Sequence, residues 1–164
     1  MYFPFSRVPL VGFSTPAFAS GTGSVRASKI PLSPPMPIIP NTEAHEIPWR
    51  PGYRNFVLAG RDQGLACIAG YSVIEPGAGA PLHVHRDVDE IFILLEGTLD
   101  LRLGDEQRLV EANHTIAIPA GVPHAFIAVG PSPVRMFTFM PRNRAIAEAT
   151  TYFEGEPPAG ADQH

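Results

Sequence analysis

The sequence contains little of what usually marks secreted, membrane or nucleic-acid-binding proteins. Cys67 is the only cysteine among 164 residues, so no disulfide can form within the chain and nothing indicates an oxidising compartment. No segment approaches the run of about 18 apolar residues that a membrane-spanning helix needs. The net charge is −4 and there is no basic patch, so we expect neither a nucleic-acid partner nor a membrane partner.

Charged residues are also scarce, at 17%, whereas apolar residues make up 45%. This length and composition fit one domain with a substantial core. Residues 17–19, Ala-Phe-Ala, resemble a signal-peptidase site. However, Arg7 is the only early positive charge and prolines interrupt the apolar stretch, so we expect a cytoplasmic protein rather than an exported one.

Prolines are concentrated near the N-terminus, where ten of the 19 fall within the first 51 residues. Together with the serines and glycines of residues 14–35, they predict an extended arm over residues 1–42 rather than a folded domain. Two interpretations of this arm stay open. It could be a disordered tail, or it could be a strap that lies over the rest of the protein or over a neighbouring subunit.

From residue 43 onward, short strand-like segments alternate with turns. Nine strands are predicted between residues 43 and 140, with no helix between them: 54–60, 65–75, 81–85, 89–96, 98–103, 107–112, 114–118, 123–129 and 134–140. This pattern predicts an all-β protein, an antiparallel jelly-roll (double-stranded β-helix) barrel. Residues 141–164 are predicted to form a short helix, over residues 144–149, and then a flexible tail.

The most informative segment is residues 77–97, GAGAPLHVHRDVDEIFILLEG. Residues i and i+2 of a strand lie on the same face, about 6.5–7 Å from each other. His83 and His85 can therefore direct two imidazoles into one space. Glu90 adds a carboxylate after a short polar turn, and His124 is the candidate fourth donor. Such donors form a ligand set for one divalent transition metal ion, which could be Fe, Mn, Ni, Co, Cu or Zn.

These residues also carry a family resemblance. The segment resembles the first cupin motif, Gly77-x5-His83-x-His85-x4-Glu90-x6-Gly97, and a later segment resembles the second, Pro119-x-Gly121-x2-His124. The resemblance covers about residues 65–140 and implies a small, single-domain, metal-binding β-barrel. Two positions of the second motif differ, because Asn113 stands where a glycine is usual and Ala128 where an asparagine is usual. Asparagine tolerates the left-handed conformation, so we expect the turn at Asn113 to be kept.

The predicted site suggests an enzyme with a small-molecule substrate. Three histidines and one glutamate leave coordination positions open for a substrate oxygen or for dioxygen. The sequence and the resemblance together favour a dioxygenase of a small aromatic or enolisable compound, in which Glu90 is a metal ligand, a general base or both. Two alternatives stay open: a non-redox metal-dependent isomerase or cyclase, and a non-catalytic protein that binds a small molecule.

Three aromatic residues are candidates for contact with that substrate. Phe126 is in phase with His124, and Phe92 is in phase with Glu90, so both are expected to face the barrel interior as core or as substrate-binding residues. Tyr71 is the third candidate for the cavity lining.

The strand at residues 89–96 also predicts an assembly. If Glu90 points inward, then Ile91, Ile93 and Leu95 point outward, and an outer face this apolar must be covered. Either the N-terminal arm covers it or a second subunit does. We expect a homodimer that packs through this sheet.

Overall fold

The computed structural model describes residues 38–141 and 146–161, which form eleven β-strands, one turn of α-helix and two short 3-10 turns. The strands are β1 His45–Arg50, β2 Tyr53–Ala59, β3 Cys67–Ile74, β4 Gly79–His85, β5 Glu90–Glu96, β6 Thr98–Leu103, β7 Glu106–Glu111, β8 His114–Ile118, β9 His124–Val129, β10 Val134–Pro141 and β11 Thr150–Tyr152. The helical turn is α1 Ile146–Ala149, and the 3-10 turns are Asn41–Glu43 and Arg61–Gln63.

The strands form two antiparallel sheets, one of six strands in the order β1-β2-β3-β10-β5-β8 and one of five in the order β11-β4-β9-β6-β7. Burial alternates along the inner strands, because successive residues of a strand point to opposite faces. Most buried apolar side chains of the two sheets, such as Ile74, Phe92, Leu99 and Phe126, form one cluster, and a smaller second cluster consists of Ile68, Val88, Met140 and Ala149. The prediction of an all-β jelly roll is confirmed, and each of the nine predicted strands lies within two residues of its expected bounds.

Two turn positions depend on special backbone conformations. Asn113 has a φ of 65°, and its amide donates a hydrogen bond to the carbonyl of Leu94 at 2.8 Å. The asparagine therefore keeps the left-handed turn, as expected. Gly97 has a φ of 80°, and a Cβ there would lie 2.8 Å from the Val134 side chain, so glycine is required between β5 and β6.

The chain beyond β10 differs from the predicted short helix and flexible tail. Only α1 is helical in the described part, since residues 142–145 and 162–164 lie outside it. The chain then forms β11, which pairs with β4. The following segment packs against β1, where the amide of Ala159 donates to the carbonyl of Trp49 at 3.3 Å. Gly160 lies so close to Pro48 that a Cβ at this position would clash with the backbone.

β1 was predicted only as part of the barrel region, without a strand of its own. It pairs with β2 at the edge of the six-stranded sheet. An edge strand can contain Pro48 because one side of it needs no backbone N–H donor. The predicted arm, apart from residues 38–42, lies outside the described residues. None of the helical segments that the structure describes has the length and hydropathy needed to cross a membrane.

Candidate metal centre

Four predicted ligand residues meet at one point between the two sheets. His83 and His85 end β4, Glu90 begins β5 and His124 begins β9, where it pairs directly with His83. One possible ligand atom from each residue lies within 4.8 Å of all the others, and all four residues are buried. The sequence separations therefore produce a single group of three histidines and one glutamate that could hold a metal ion.

The outer nitrogen of each imidazole has a hydrogen-bond partner. The Nδ1 atoms of His83 and His124 lie 2.7 Å and 3.0 Å from the carbonyl oxygens of Pro81 and Val122. Since a carbonyl can only accept, both Nδ1 atoms carry the proton and both Nε2 atoms present a lone pair to the centre. The Nδ1 atom of His85 is 2.7 Å from Oγ1 of Thr150 on β11. Partners of this kind fix the ring orientation of metal-ligating histidines.

The ligand atoms that face the centre lie close together, but two of them have no hydrogen-bond partner among the described residues. Oε2 of Glu90 lies 3.2 Å from Nε2 of His124 and 3.4 Å from Nε2 of His85. Oε2 of Glu90 and Nε2 of His124 are buried and have no hydrogen-bond partner among the described residues. Two acceptors at this separation need a cation between them, either a proton or a metal ion.

The donor set fits a divalent transition metal ion. Ligand atoms about 2.1 Å from one ion and about 90–110° apart lie about 3.0–3.4 Å from each other, which matches the distances around Glu90. Imidazole nitrogen with carboxylate oxygen suits zinc, copper, iron, nickel, cobalt and manganese alike, so the donors do not select one metal.

The local environment also favours the protonation states that ligate metals. Burial, assisted by the nearby His124, lowers the pKa of His83 to about 4, so its imidazole is neutral at neutral pH. Burial alone would raise the pKa of Glu90, but in the metal-free centre a proton held between its carboxylate and the facing Nε2 atoms of His124 and His85 favours the ionised carboxylate and lowers this pKa to about 2. A neutral imidazole and an ionised carboxylate are the ligating forms.

The group opens onto a cavity of about 200 Å³ between the sheets. Phe92 and Phe126 line it as predicted, with their ring centroids 5.4 Å apart in an edge-to-face arrangement. Further apolar or aromatic walls come from both sheets, namely Trp49, Tyr53, Val57, Ile68, Met140 and Tyr152.

The prediction that Tyr71 lines this cavity is wrong. Its side chain lies on the outer face of β3, where the ring packs against Phe137 at 5.5 Å and the hydroxyl accepts a hydrogen bond from Arg135 at 2.9 Å. The buried face of β3 instead carries Gly70 and Ser72.

Comparison with known proteins agrees with this fold. A family model described as a cupin domain matches residues 70–140. The solved structure of the polyketide cyclase RemF from Streptomyces resistomycificus superposes with a TM-score of 0.63, at 19% identity, over 78% of this chain and 91% of that one. Residues 70–140 of this chain therefore form a cupin domain.

Two curated proteins also match part of this chain. Mannose-1-phosphate guanylyltransferase 2 of Escherichia coli O157:H7 is 35% identical over 75 residues, which is 46% of this chain and 16% of that protein. Quercetin 2,3-dioxygenase of Bacillus subtilis strain 168 is 42% identical over 50 residues, or 30% of this chain and 15% of that protein. The chain thus spans about a sixth of the length of these relatives.

Several cavity residues of the cupin domain escaped the sequence analysis because they lie outside its two motifs. Tyr152 on β11 stacks on His83, with centroids 5.2 Å apart and planes at 18°. Arg50 on β1 lines the same cavity, and its guanidinium lies 5.5 Å from the centroid of the Tyr152 ring. The run Thr150-Thr151-Tyr152, β-branched and aromatic, is the signal that could have indicated β11.

A buried polar group on β2 and β3 was also missed. The hydroxyl of Ser72 donates to Oδ1 of Asn55 at 3.1 Å and lies 3.5 Å from the hydroxyl of Tyr53. Burial strongly raises the pKa of Tyr53, so its phenol stays protonated. Asn55 and Tyr53 line the cavity, which gives its otherwise apolar wall a hydrogen-bonding patch.

Proposed function

We propose that this protein is a metal-dependent enzyme and that its reaction is the dioxygenation of a small aromatic or enolisable compound. The observation that carries the proposal is the meeting of three imidazoles and one carboxylate at the wall of an aromatic-lined cavity. The local identity of 42% with a quercetin 2,3-dioxygenase supports the choice of reaction.

The ligands of the proposed metal are the Nε2 atoms of His83, His85 and His124 and the carboxylate of Glu90. The cofactor is one divalent ion among Fe, Mn, Ni, Co, Cu and Zn. When bound, such an ion supplies Lewis acidity, a coordination position for an anionic substrate oxygen and, if it is redox-active, a site for dioxygen.

The protein's own groups would bind the substrate and move its proton. Glu90 is the only carboxylate among the described residues that line the cavity, so it is the proposed acceptor for a proton from a phenol or enol. The rings of Phe92 and Phe126 form an apolar wall suited to a flat ligand. A cavity of about 150 Å³ is enough for benzene, so the observed volume of about 200 Å³ suits a substrate with about one ring.

An oxygen electrode provides the test. The protein is reconstituted separately with each candidate metal and screened against single-ring phenols and enolisable diketones. We expect oxygen uptake with at least one redox-active metal, accompanied by loss of the substrate. Conversion of a substrate under anaerobic conditions would instead indicate an isomerase or cyclase. A ligand-dependent rise in melting temperature without turnover would indicate a binding protein, and either result would contradict the proposed reaction.

We also propose that the protein forms a homodimer through the outer face of the six-stranded sheet. On β5, Ile91 is 41% exposed and Leu95 is 39% exposed, whereas Phe92 and Leu94 are buried, as the alternation predicted. On the neighbouring β10, Phe139 is 36% exposed. Monomeric proteins rarely expose a continuous apolar face of this kind. Light scattering of the full chain is expected to give twice the chain mass, and Ile91→Lys to give a monomer. A monomeric wild type at micromolar concentration would contradict this assembly.

A further inference from the structure

The charges that line the cavity are few and uneven. Among the described lining residues, Arg50 is the only lysine or arginine and Glu90 is the only acid. A divalent ion held by one carboxylate leaves a formal charge of about +1 at the metal centre. The cavity would then contain two cationic points, the metal centre and the guanidinium, with no carboxylate left to balance them.

Arg50 is held in place, but no carboxylate among the described residues pairs with it. Its Nη2 donates to the main-chain carbonyl of Glu156, and its guanidinium lies over the Tyr152 ring. Both contacts position the side chain, but neither brings a negative charge. The arginine ion pairs found in the described part of the chain are Arg54 with Glu46 and Arg135 with Glu96, both on exposed side chains.

Tyr152 does not supply the missing charge either. A tyrosine phenol ordinarily has a pKa of about 10, so the ring carries no charge at neutral pH. The same ring stacks on His83 of the metal centre. Tyr152 therefore contacts both the guanidinium and one metal-ligand residue, which places the two cationic points within reach of a single small molecule.

We propose that Arg50 selects a substrate that carries a carboxylate or a similar planar anion, so that the substrate of the proposed enzyme is a small organic anion. Arg50 would bind the carboxylate, and another oxygen of the same molecule would bind the metal. Only this contact with the metal rests on the proposed function. A guanidinium matches a carboxylate in shape as well as charge, through paired N–H donors. The substrate class is thus a single-ring or enolisable acid.

Isothermal titration with benzoate and with its neutral analogue benzamide tests the proposal. Wild-type protein is compared with Arg50→Gln and with Arg102→Gln, a matched loss of charge at an exposed position on β6. Hydrogen bonds to charged groups contribute about 1.5–3 kcal/mol, so Arg50→Gln should weaken benzoate binding about 10- to 100-fold. Benzamide binding should not change, and Arg102→Gln should bind both compounds as the wild type does.

Titrations of metal-free protein separate this inference from the proposed function. Without metal, benzoate should still bind the wild type more tightly than it binds Arg50→Gln, even if oxygen-uptake screens find no reaction. Equal benzoate affinity in wild type and Arg50→Gln would overturn the proposal, as would an equal loss in Arg102→Gln or no benzoate binding up to about 10 mM. If Arg50→Gln does not fold, Arg50→Lys is used instead. Wild-type benzoate affinity in Arg50→Lys would overturn the proposal, because it would show that the paired N–H donors of the guanidinium do not bind the carboxylate.

Discussion

Oε2 of Glu90 lies 3.2 Å from Nε2 of His124, and neither buried atom has a hydrogen-bond partner in the described part of the chain. The carbonyl of Val122 accepts the proton on the other nitrogen of His124, so the facing nitrogen presents a lone pair to a carboxylate oxygen. Unsatisfied buried acceptors are costly, and a cation between these two atoms would remove that cost. This relationship is the structural basis for expecting a metal ion.

Replacing Glu90 with glutamine should preserve the fold and remove most of the activity. The two side chains have nearly the same shape, but the amide cannot accept a proton or neutralise the metal charge. Because general base catalysis contributes about 10²–10⁴-fold, we expect oxygen uptake to fall by at least about 100-fold. Glu96→Gln is the matched control, since Glu96 is exposed at the other end of β5. Wild-type rates in Glu90→Gln would show that this carboxylate is not the base.

Removal of single histidines should lower the amount of bound metal. In His83→Ala or His124→Ala, we expect metal content well below one equivalent per chain, measured by elemental analysis of purified protein, because one buried nitrogen donor is lost. His114→Ala is the control, since its imidazole is exposed and bonded to the carbonyl of Glu111. An unchanged metal content in either test variant would remove that histidine from the ligand set.

Thr150 should affect the metal through His85. Thr150→Val removes the oxygen that lies 2.7 Å from Nδ1 of His85, and loss of such partners typically weakens metal binding about 10- to 100-fold. Thr150→Ser should restore the affinity because it keeps the hydroxyl. Competition against a coloured chelator measures the effect, with Thr151→Val as the neighbouring control. Equal affinities in Thr150→Val and wild type would show that the hydroxyl does not position His85.

The metal-free protein should lose stability in acid through two groups. The pKa of His83 is about 4 in the folded protein against an ordinary value of 6.5, so the unfolded chain binds a proton first as pH falls. Its contribution is complete above pH 6.5 and is lost by about pH 4, a loss of about 3 kcal/mol at 1.36 kcal/mol per pH unit. Glu90 acts in the same direction between pH 4.5 and about 2.

Urea unfolding at a series of pH values measures this effect. The free energy of unfolding of the wild type should decrease from pH 6.5 to 4, and the decrease should be smaller in His83→Gln, which has no group to titrate there. Equal slopes in the two proteins would show that the folded environment does not lower the pKa of His83.

The barrel and its ligand group were predictable because the information is local. His83 and His85 share a strand face, and the short turn before Glu90 fixes the side to which the carboxylate points. Alternation also placed Phe92 and Phe126 correctly. The prediction for Tyr71 failed because both faces of β3 carry apolar residues, Ile68 and Ile74 on the buried face and Ala69 and Val73 on the outer one, so alternation does not fix which face is interior.

The features that the sequence did not predict depend on contacts between distant parts of the chain. β11 has only three residues and pairs with β4, more than 60 positions earlier, so nothing in its own sequence names its partner. Arg50 and Tyr152 enter the cavity through β1 and β11, which carry no part of either cupin motif. The residues proposed to select the substrate are therefore the ones that the motifs could not reveal.

Elemental analysis of the purified full chain, expressed in unsupplemented medium and never exposed to chelator, tests the central claim most directly. We predict about one equivalent of a divalent transition metal per chain, lowered in His83→Ala and His124→Ala. Little or no metal, persisting after reconstitution with each candidate ion, would contradict the account and leave the buried group of three histidines and one glutamate without a metal function.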